Sequence, residues 1–139
     1  MTPSPSEREG SCLCGEIIFI LSGEMKWCSN CHCTRCQKGH GSGYVTWLGY
    51  DKNQITILDK SENLKWYSTS KKSEFGFCLG CGSSIFYRSQ KVPSEIHITL
   101  ANLHNSKDIY PSSDNYFDTH VPWMKIDKML PKRNDPNLL

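Results

Sequence analysis

Apolar and polar residues alternate in short runs along this chain, and no apolar period near 3.6 persists for three turns. Six runs rich in β-branched and aromatic residues predict strands, at 16–21, 44–48, 54–58, 64–69, 84–87 and 96–100. Turn formers fill the gaps between them, as in Ser22-Gly23, Asp51-Lys52-Asn53 and Pro93-Ser94. A single helical turn is expected at 34–38, directly after Cys33. The pattern is therefore mostly β, and six short strands at this spacing predict a small sandwich or partly closed barrel.

A length of 139 residues suits one domain with one modest core. The ends, MTPSPSEREG and PKRNDPNLL, hold no apolar run. They read as a disordered tail at 1–9 and a loose tail at 132–139, around a single domain at 10–131. A mean hydropathy of −0.51 without a long apolar stretch argues against a membrane span. No secretory leader is visible, so the expected compartment is the reducing cytoplasm, where disulfides are rare. Sixteen basic and fourteen acidic residues give +2 with no segregation of sign, which offers no face for nucleic acid.

The eight cysteines change the picture. Cys12-Leu-Cys14, Cys31-His-Cys33 and Cys78-Leu-Gly-Cys81 hold sulfurs side by side, which suits a metal better than four independent disulfides. Cys78 and Cys81, with Gly80 and Gly82, form a knuckle whose glycines let amide N–H groups face the thiolates. A knuckle supplies two ligands and structural zinc takes four. Cys12 and Cys14, roughly sixty residues earlier, are the natural partners. Metal bound there would be folding energy, on the order of 10 kcal/mol.

The second cluster is local: Cys28-Ser-Asn-Cys31-His32-Cys33-Thr-Arg-Cys36. Four thiols here would close an inert tetrahedral site. Three of them, in CHCTRC, would leave a fourth position open to substrate, the mark of catalytic zinc. Spacing leaves both versions open. His32 points away from its cysteine neighbours in an extended chain, which makes it a residue behind the ligands or at the surface. Centres of four and three thiolates carry −2 and −1, so loading both turns the formal +2 into about −1. A three-thiolate zinc is a modest Lewis acid suited to holding a soft thiolate, the nucleophilic form of a thiol whose free pKa is ~8.5.

The order Gly10-Ser-Cys12-Leu-Cys14-Gly15, Cys31-His-Cys33-x-x-Cys36-Gln37-Lys38, Gly41-Ser42 and Phe77-Cys78-x-x-Cys81-Gly82-Ser83 resembles the glutathione-dependent formaldehyde-activating enzyme family, a broad group that includes centromere protein V. Pro122-Trp123, Ile126-Asp127 and Leu130-Pro131 look like that family's C-terminal signature. The resemblance implies a zinc-bearing β-tent fold with two zinc ions. Cys12, Cys14, Cys78 and Cys81 would hold the structural one, and Cys31, Cys33 and Cys36 the open, catalytic one. Cys28 departs from the family motif and is a candidate fourth ligand. The implied reaction is that of a carbon–sulfur lyase joining a glutathione-like thiol and formaldehyde or a related aldehyde.

Other candidates carry less. Ser42 reads as a turn residue or a donor beside the metal, and His40 as a surface-loop histidine or a general base. His97, opposite Ile96 and Ile98, reads as a strand-surface residue. His104 and His120 fall in loops, and Trp123 is a pocket cover or a core plug. Three functions follow: a lyase, a two-zinc protein-binding module with a closed second site, and, least supported, a nucleic-acid binder.

Overall fold

A computed structural model describes residues 7–126 and 128–134. Among these residues the protein is mostly β, with eleven strands in two sheets and one α-helix. The strands are β1 (Glu7–Ser11), β2 (Ile18–Ser22), β3 (Trp27–Cys31), β4 (Val45–Asp51), β5 (Ile55–Leu58), β6 (Leu64–Ser68), β7 (Ser73–Cys78), β8 (Ser84–Ser89), β9 (Glu95–Thr99), β10 (Asp114–Asn115) and β11 (Lys132–Arg133). The helix, α1, is Thr34–His40. The small sheet runs β1-β2-β5 and the large one β11-β10-β3-β4-β9-β8-β7-β6. All pairings are antiparallel except β3 with β10 and β10 with β11. No described helix is long and apolar enough to cross a membrane.

Side-chain alternation splits the core into two clusters. On β4, Leu48 and Tyr50 join Phe19, Leu21, Phe86 and Ile98, where the small sheet packs. Val45 and Trp47 project from the other face of β4 and join Phe75, Tyr87, Cys31 and Cys36. A bulge helps: Gly76 pairs Phe86 and Phe77 pairs Ser84, which leaves Ile85 unmatched and lets it enter the first cluster beside Phe86.

All six predicted strands are present within a few residues of their expected bounds, and the helical turn extends to His40. Strands β3 and β7 were not expected. In β3 the apolar signal is broken by Ser29 and Asn30, and in β7 Glu74 and Gly76 interrupt it. Strand order then does what local pattern does not: β3 is held between β4 and β10, and β7 between β6 and β8.

The described parts of both expected tails include strand. Glu7, Arg8 and Glu9 belong to β1, which pairs with β2 along its whole length. Arg8 makes a bidentate pair with Asp108, its Nη2 donating at 2.6 Å. Gly10 admits the Phe19 ring and the Asn102 carbonyl where a Cβ would collide with both. Gly10→Ala is therefore expected to lower stability by about 1–3 kcal/mol through overpacking, read from denaturant midpoints. At the other end Lys132 and Arg133 form β11 against β10. Residues 1–6 and 135–139 of the expected tails, and Asp127 of the C-terminal signature, lie outside the described residues.

Candidate metal centres and the cavity beside one of them

Two turns face each other across the sheets. The first leaves β1, with Gly15 at φ +81° donating its N–H to the Cys12 carbonyl. The second leaves β7, where Gly82 at φ +79° donates to the Cys78 carbonyl at 2.7 Å. They bring the Sγ atoms of Cys12, Cys14, Cys78 and Cys81 within 4.8 Å of one another. The turns are also joined directly, the Leu13 N–H donating to Ser83 Oγ at 2.9 Å. The Ser83 hydroxyl, 3.2 Å from Cys81 Sγ, pulls that thiol down to about 5. Gly82, not Gly80, takes the left-handed backbone.

The second group is built at the junction of β3 and α1. Cys31 closes β3, Cys33 caps α1 and Cys36 sits in its first turn. Their three Sγ atoms also lie within 4.8 Å of one another, Cys31 and Cys36 at 3.4 Å. Cys31 and Cys36 are buried and Cys33 is half-exposed. Hydrogen bonds from the Cys31 and Cys36 thiols and the Cys36 N–H bring Cys33 down to about 3. Among the described residues no cationic side chain hydrogen-bonds a sulfur of either group. Soft, anionic donors gathered this tightly fit a thiophilic divalent cation, which supplies the missing positive charge.

Cys28 is not in this group. Three residues from Cys31 on an extended strand, it projects from the opposite face of β3, into the first core cluster beside Leu48. Burial there pushes its thiol up to about 11. The described residues bring no fourth cysteine to Cys31, Cys33 and Cys36. A cavity of about 250 Å³ opens beside Cys33 and Cys36 instead. Trp47, Phe75, Tyr87 and Tyr116 form its aromatic wall, and Thr34, Arg35 and Lys91 its polar part. Trp47 and Phe75 stack at 6.2 Å, 7° from parallel.

His32 anchors the ligand loop from behind. Fully buried, it meets Asp114 Oδ1 through Nε2 at 2.9 Å. Its N–H donates to the Asn115 carbonyl, and its own carbonyl accepts from Gln37 Nε2 and Thr119 Oγ1. Asp114 also accepts from Asn30 Nδ2 at 2.9 Å and faces Lys132 Nζ at 2.7 Å. Burial alone would raise this carboxyl, but hydrogen bonds from Lys132, His32 and Asn30 hold it below the usual carboxylate range. Asp114→Ala would leave the buried His32 Nε2 unpaired and take its carboxylate from the Lys132 ammonium. It is expected to cost about 3–5 kcal/mol, a fall in Tm of roughly 10–20 °C by calorimetry.

The remaining candidates sort as follows. Ser42 is a turn residue: its N–H donates to the Gln37 carbonyl and its hydroxyl to the Tyr44 carbonyl. His40 is corrected from a surface loop. Its Nδ1 donates to the Cys36 carbonyl at 3.0 Å, and its ring edges meet Trp47 and Phe75 behind the aromatic wall. His97 is corrected from a strand surface, because β9 is covered on both faces. It is 3% exposed, hydrogen-bonded to Glu95 and packed on Trp27. His104 contacts Ser11 Oγ, and the exposed His120 stacks on Phe117. Trp123 is 71% exposed and neither covers this cavity nor fills the core.

Sequence reasoning missed Asp114, Lys132 and the aromatic wall. These are single residues on distant strands whose meeting depends on strand order. Thr34 and Arg35 carried a local signal, since they stand inside CHCTRC.

Comparison with known proteins is consistent with this geometry. The model of the glutathione-dependent formaldehyde-activating enzyme family matches residues 7–119. An uncharacterized lyase of Schizosaccharomyces pombe is 30% identical over 81 residues, 58% of this chain and 57% of that protein. The chain thus aligns with little more than half of that relative's length. A Rhodobacter sphaeroides protein of solved structure superposes with a TM-score of 0.58 at 20% identity, over 74% of this chain and 91% of that one, a likeness of fold alone.

Proposed function

Because the chain belongs to the glutathione-dependent formaldehyde-activating enzyme family, we propose that it is a zinc-dependent carbon–sulfur lyase joining a glutathione-like thiol to formaldehyde or a related aldehyde. The observation that carries this reading is the group of three cysteines, without a fourth, beside a cavity. Cys12, Cys14, Cys78 and Cys81 would hold one zinc ion as a structural bolt, and Cys31, Cys33 and Cys36 a second. The second ion, when bound, supplies a soft acceptor that favours the thiolate form of a substrate thiol. In the reaction the sulfur forms a bond to the carbonyl carbon, and the thiol proton ends on the carbonyl oxygen. The step is reversible.

The chain's own residues orient the partners and exclude water. The peptide groups and side chain of His32 fix the loop that carries Cys31 and Cys33, and Asp114 fixes His32. Trp47 and Phe75 give the cavity an apolar wall. Thr34 brings a hydroxyl to the lining for an oxygen that gains charge. The closed alternative, a protein-binding module with four cysteines at the second site, lacks its fourth thiol, because Cys28 faces the other cluster.

The test is an exchange measurement by NMR on glutathione and formaldehyde, with and without protein. Interconversion of thiol and adduct above the spontaneous rate is expected. Background rates with every aldehyde and thiol tried would refute the reading.

A further inference from the structure

One buried polar group beside Cys33 and Cys36 has no work in the fold. Tyr87 stands on β8, where it pairs Phe75 of β7 and His97 of β9. Its ring packs on Phe75, Trp47 and His97 at centroid distances of 5.6, 6.1 and 5.6 Å. These rings leave Tyr87 only 6% exposed, and it lines the cavity. A buried tyrosine hydroxyl ordinarily finds a hydrogen-bond partner. Among the described residues the Tyr87 hydroxyl has none, yet it is not sealed from solvent as the Trp47 indole N–H is. A hydroxyl on so covered a residue opens where the residue itself opens, into the cavity. Thr34, Arg35 and Lys91 are exposed side chains that move in water. Tyr87 is the donor in the lining whose position is fixed before a ligand arrives.

We propose that Tyr87 is a catalytic residue, its hydroxyl donating a hydrogen bond to the aldehyde oxygen as the carbon–sulfur bond forms. The inference deepens the lyase reading and rests on it. Cys33, Cys36 and Tyr87 share a cavity of about 250 Å³, below the ~300 Å³ at which ligand pockets begin, so a ligand at the cysteines also meets Tyr87. When the thiolate sulfur bonds to the carbonyl carbon, the π pair of the C=O bond moves to oxygen. A phenol carries its proton at neutral pH and can face that charge as a donor. Tyr87 keeps its own proton, and the proton given up by the thiol is made good at the oxygen from solvent. In reverse the adduct hydroxyl loses its proton, the carbon–sulfur bond breaks, and the same contact steadies the oxygen.

The experiment compares the native protein with Tyr87→Phe, which keeps the ring and deletes the hydroxyl. Exchange NMR on glutathione, formaldehyde and their adduct gives turnover and KM in both directions. Calorimetric titration with glutathione alone gives the affinity for the thiol, and zinc per chain and Tm are recorded for both proteins. Turnover should fall by roughly 10²-fold in each direction, or to the spontaneous rate where that is reached first. Glutathione affinity should stay within about twofold, because the thiol brings no aldehyde oxygen. Zinc should be unchanged. Tm should equal or exceed the native value, since a hydroxyl without a protein partner contributes no hydrogen bond to the fold.

Native turnover in Tyr87→Phe would overturn the assignment while leaving the lyase reading in place. A loss of turnover that came with less zinc, or with a Tm several degrees below native, would overturn it too, by making the hydroxyl a structural one. A raised KM with turnover intact would put the contact on the thiol instead and also count against the proposal. Spontaneous rates in the native chain with every aldehyde and thiol tried would remove the lyase reading, and this inference with it.

Discussion

Cys78→Ser is expected to leave a chain that holds one metal ion fewer and is unfolded, or nearly so, at 25 °C. The four-cysteine group joins the turn that leads from β1 into the small sheet to the turn between β7 and β8 of the large one. Direct links between these turns are few, the Leu13–Ser83 hydrogen bond among them. A metal bound by Cys12, Cys14, Cys78 and Cys81 would close a loop of roughly sixty residues. Structural zinc contributes on the order of 10 kcal/mol in small domains, against a total stability of about 5–15 kcal/mol for a typical domain. Loss of one ligand, leaving three cysteines of which only Cys12 is buried, removes most of that. Circular dichroism and a thermal melt read the effect, and chelation of the native protein should reproduce it. A Cys78→Ser protein that lost its metal yet melted within a few degrees of native would show that the sheets hold without the bolt.

Cys33→Ser has the opposite profile: the fold is expected to survive and catalysis to fall to the spontaneous rate. Cys33 is the half-exposed member of its group and lines the cavity. It also caps α1, its Sγ accepting the Cys36 N–H at 3.3 Å. Serine is a preferred cap, so the helix start keeps its partner. What is lost is one thiolate of three and, on the proposed reading, the second zinc ion with it. The expected outcome is a drop from two zinc ions to one, a Tm within a few degrees of native and no rate above background. Full activity in this variant would mean that the chemistry does not depend on these three cysteines. The two variants together separate a metal that folds the chain from a metal that serves the reaction.

The parts of this fold that were legible in the sequence are those whose signal is local. Strands such as Ile18–Ser22 and Glu95–Thr99 announce themselves by β-branched residues between turns. The four-cysteine group was legible at long range because sulfur pairs at short spacing have few other uses, and the chain brings those four together. Whether Cys28 belongs with Cys31, Cys33 and Cys36 was not legible, because it turns on Trp27–Cys31 being a strand. In a loop or helix, Cys28 and Cys31 can share a face. On a strand they cannot, and the polar Ser29 and Asn30 hid the strand. They are accommodated because Asn30 bonds Asp114 and Thr46, and Ser29 bonds Asn115. His97 misled for a related reason. Alternation in Glu95–Thr99 was read as one wet face, but the outward side is roofed by Trp27 and Tyr87. The Asp114–His32–Lys132 group joins residues from three distant segments, and nothing around any one of them marks it.

The open second site is the central claim, and zinc per chain in the Cys28→Ser protein tests it most directly, measured beside the native chain and Cys33→Ser. With Cys28 in the apolar cluster on the far face of β3, the account predicts two ions in the native chain, two in Cys28→Ser and one in Cys33→Ser. One ion in Cys28→Ser would contradict it: Cys28 would then be a ligand, the site closed and the cavity without a reacting centre.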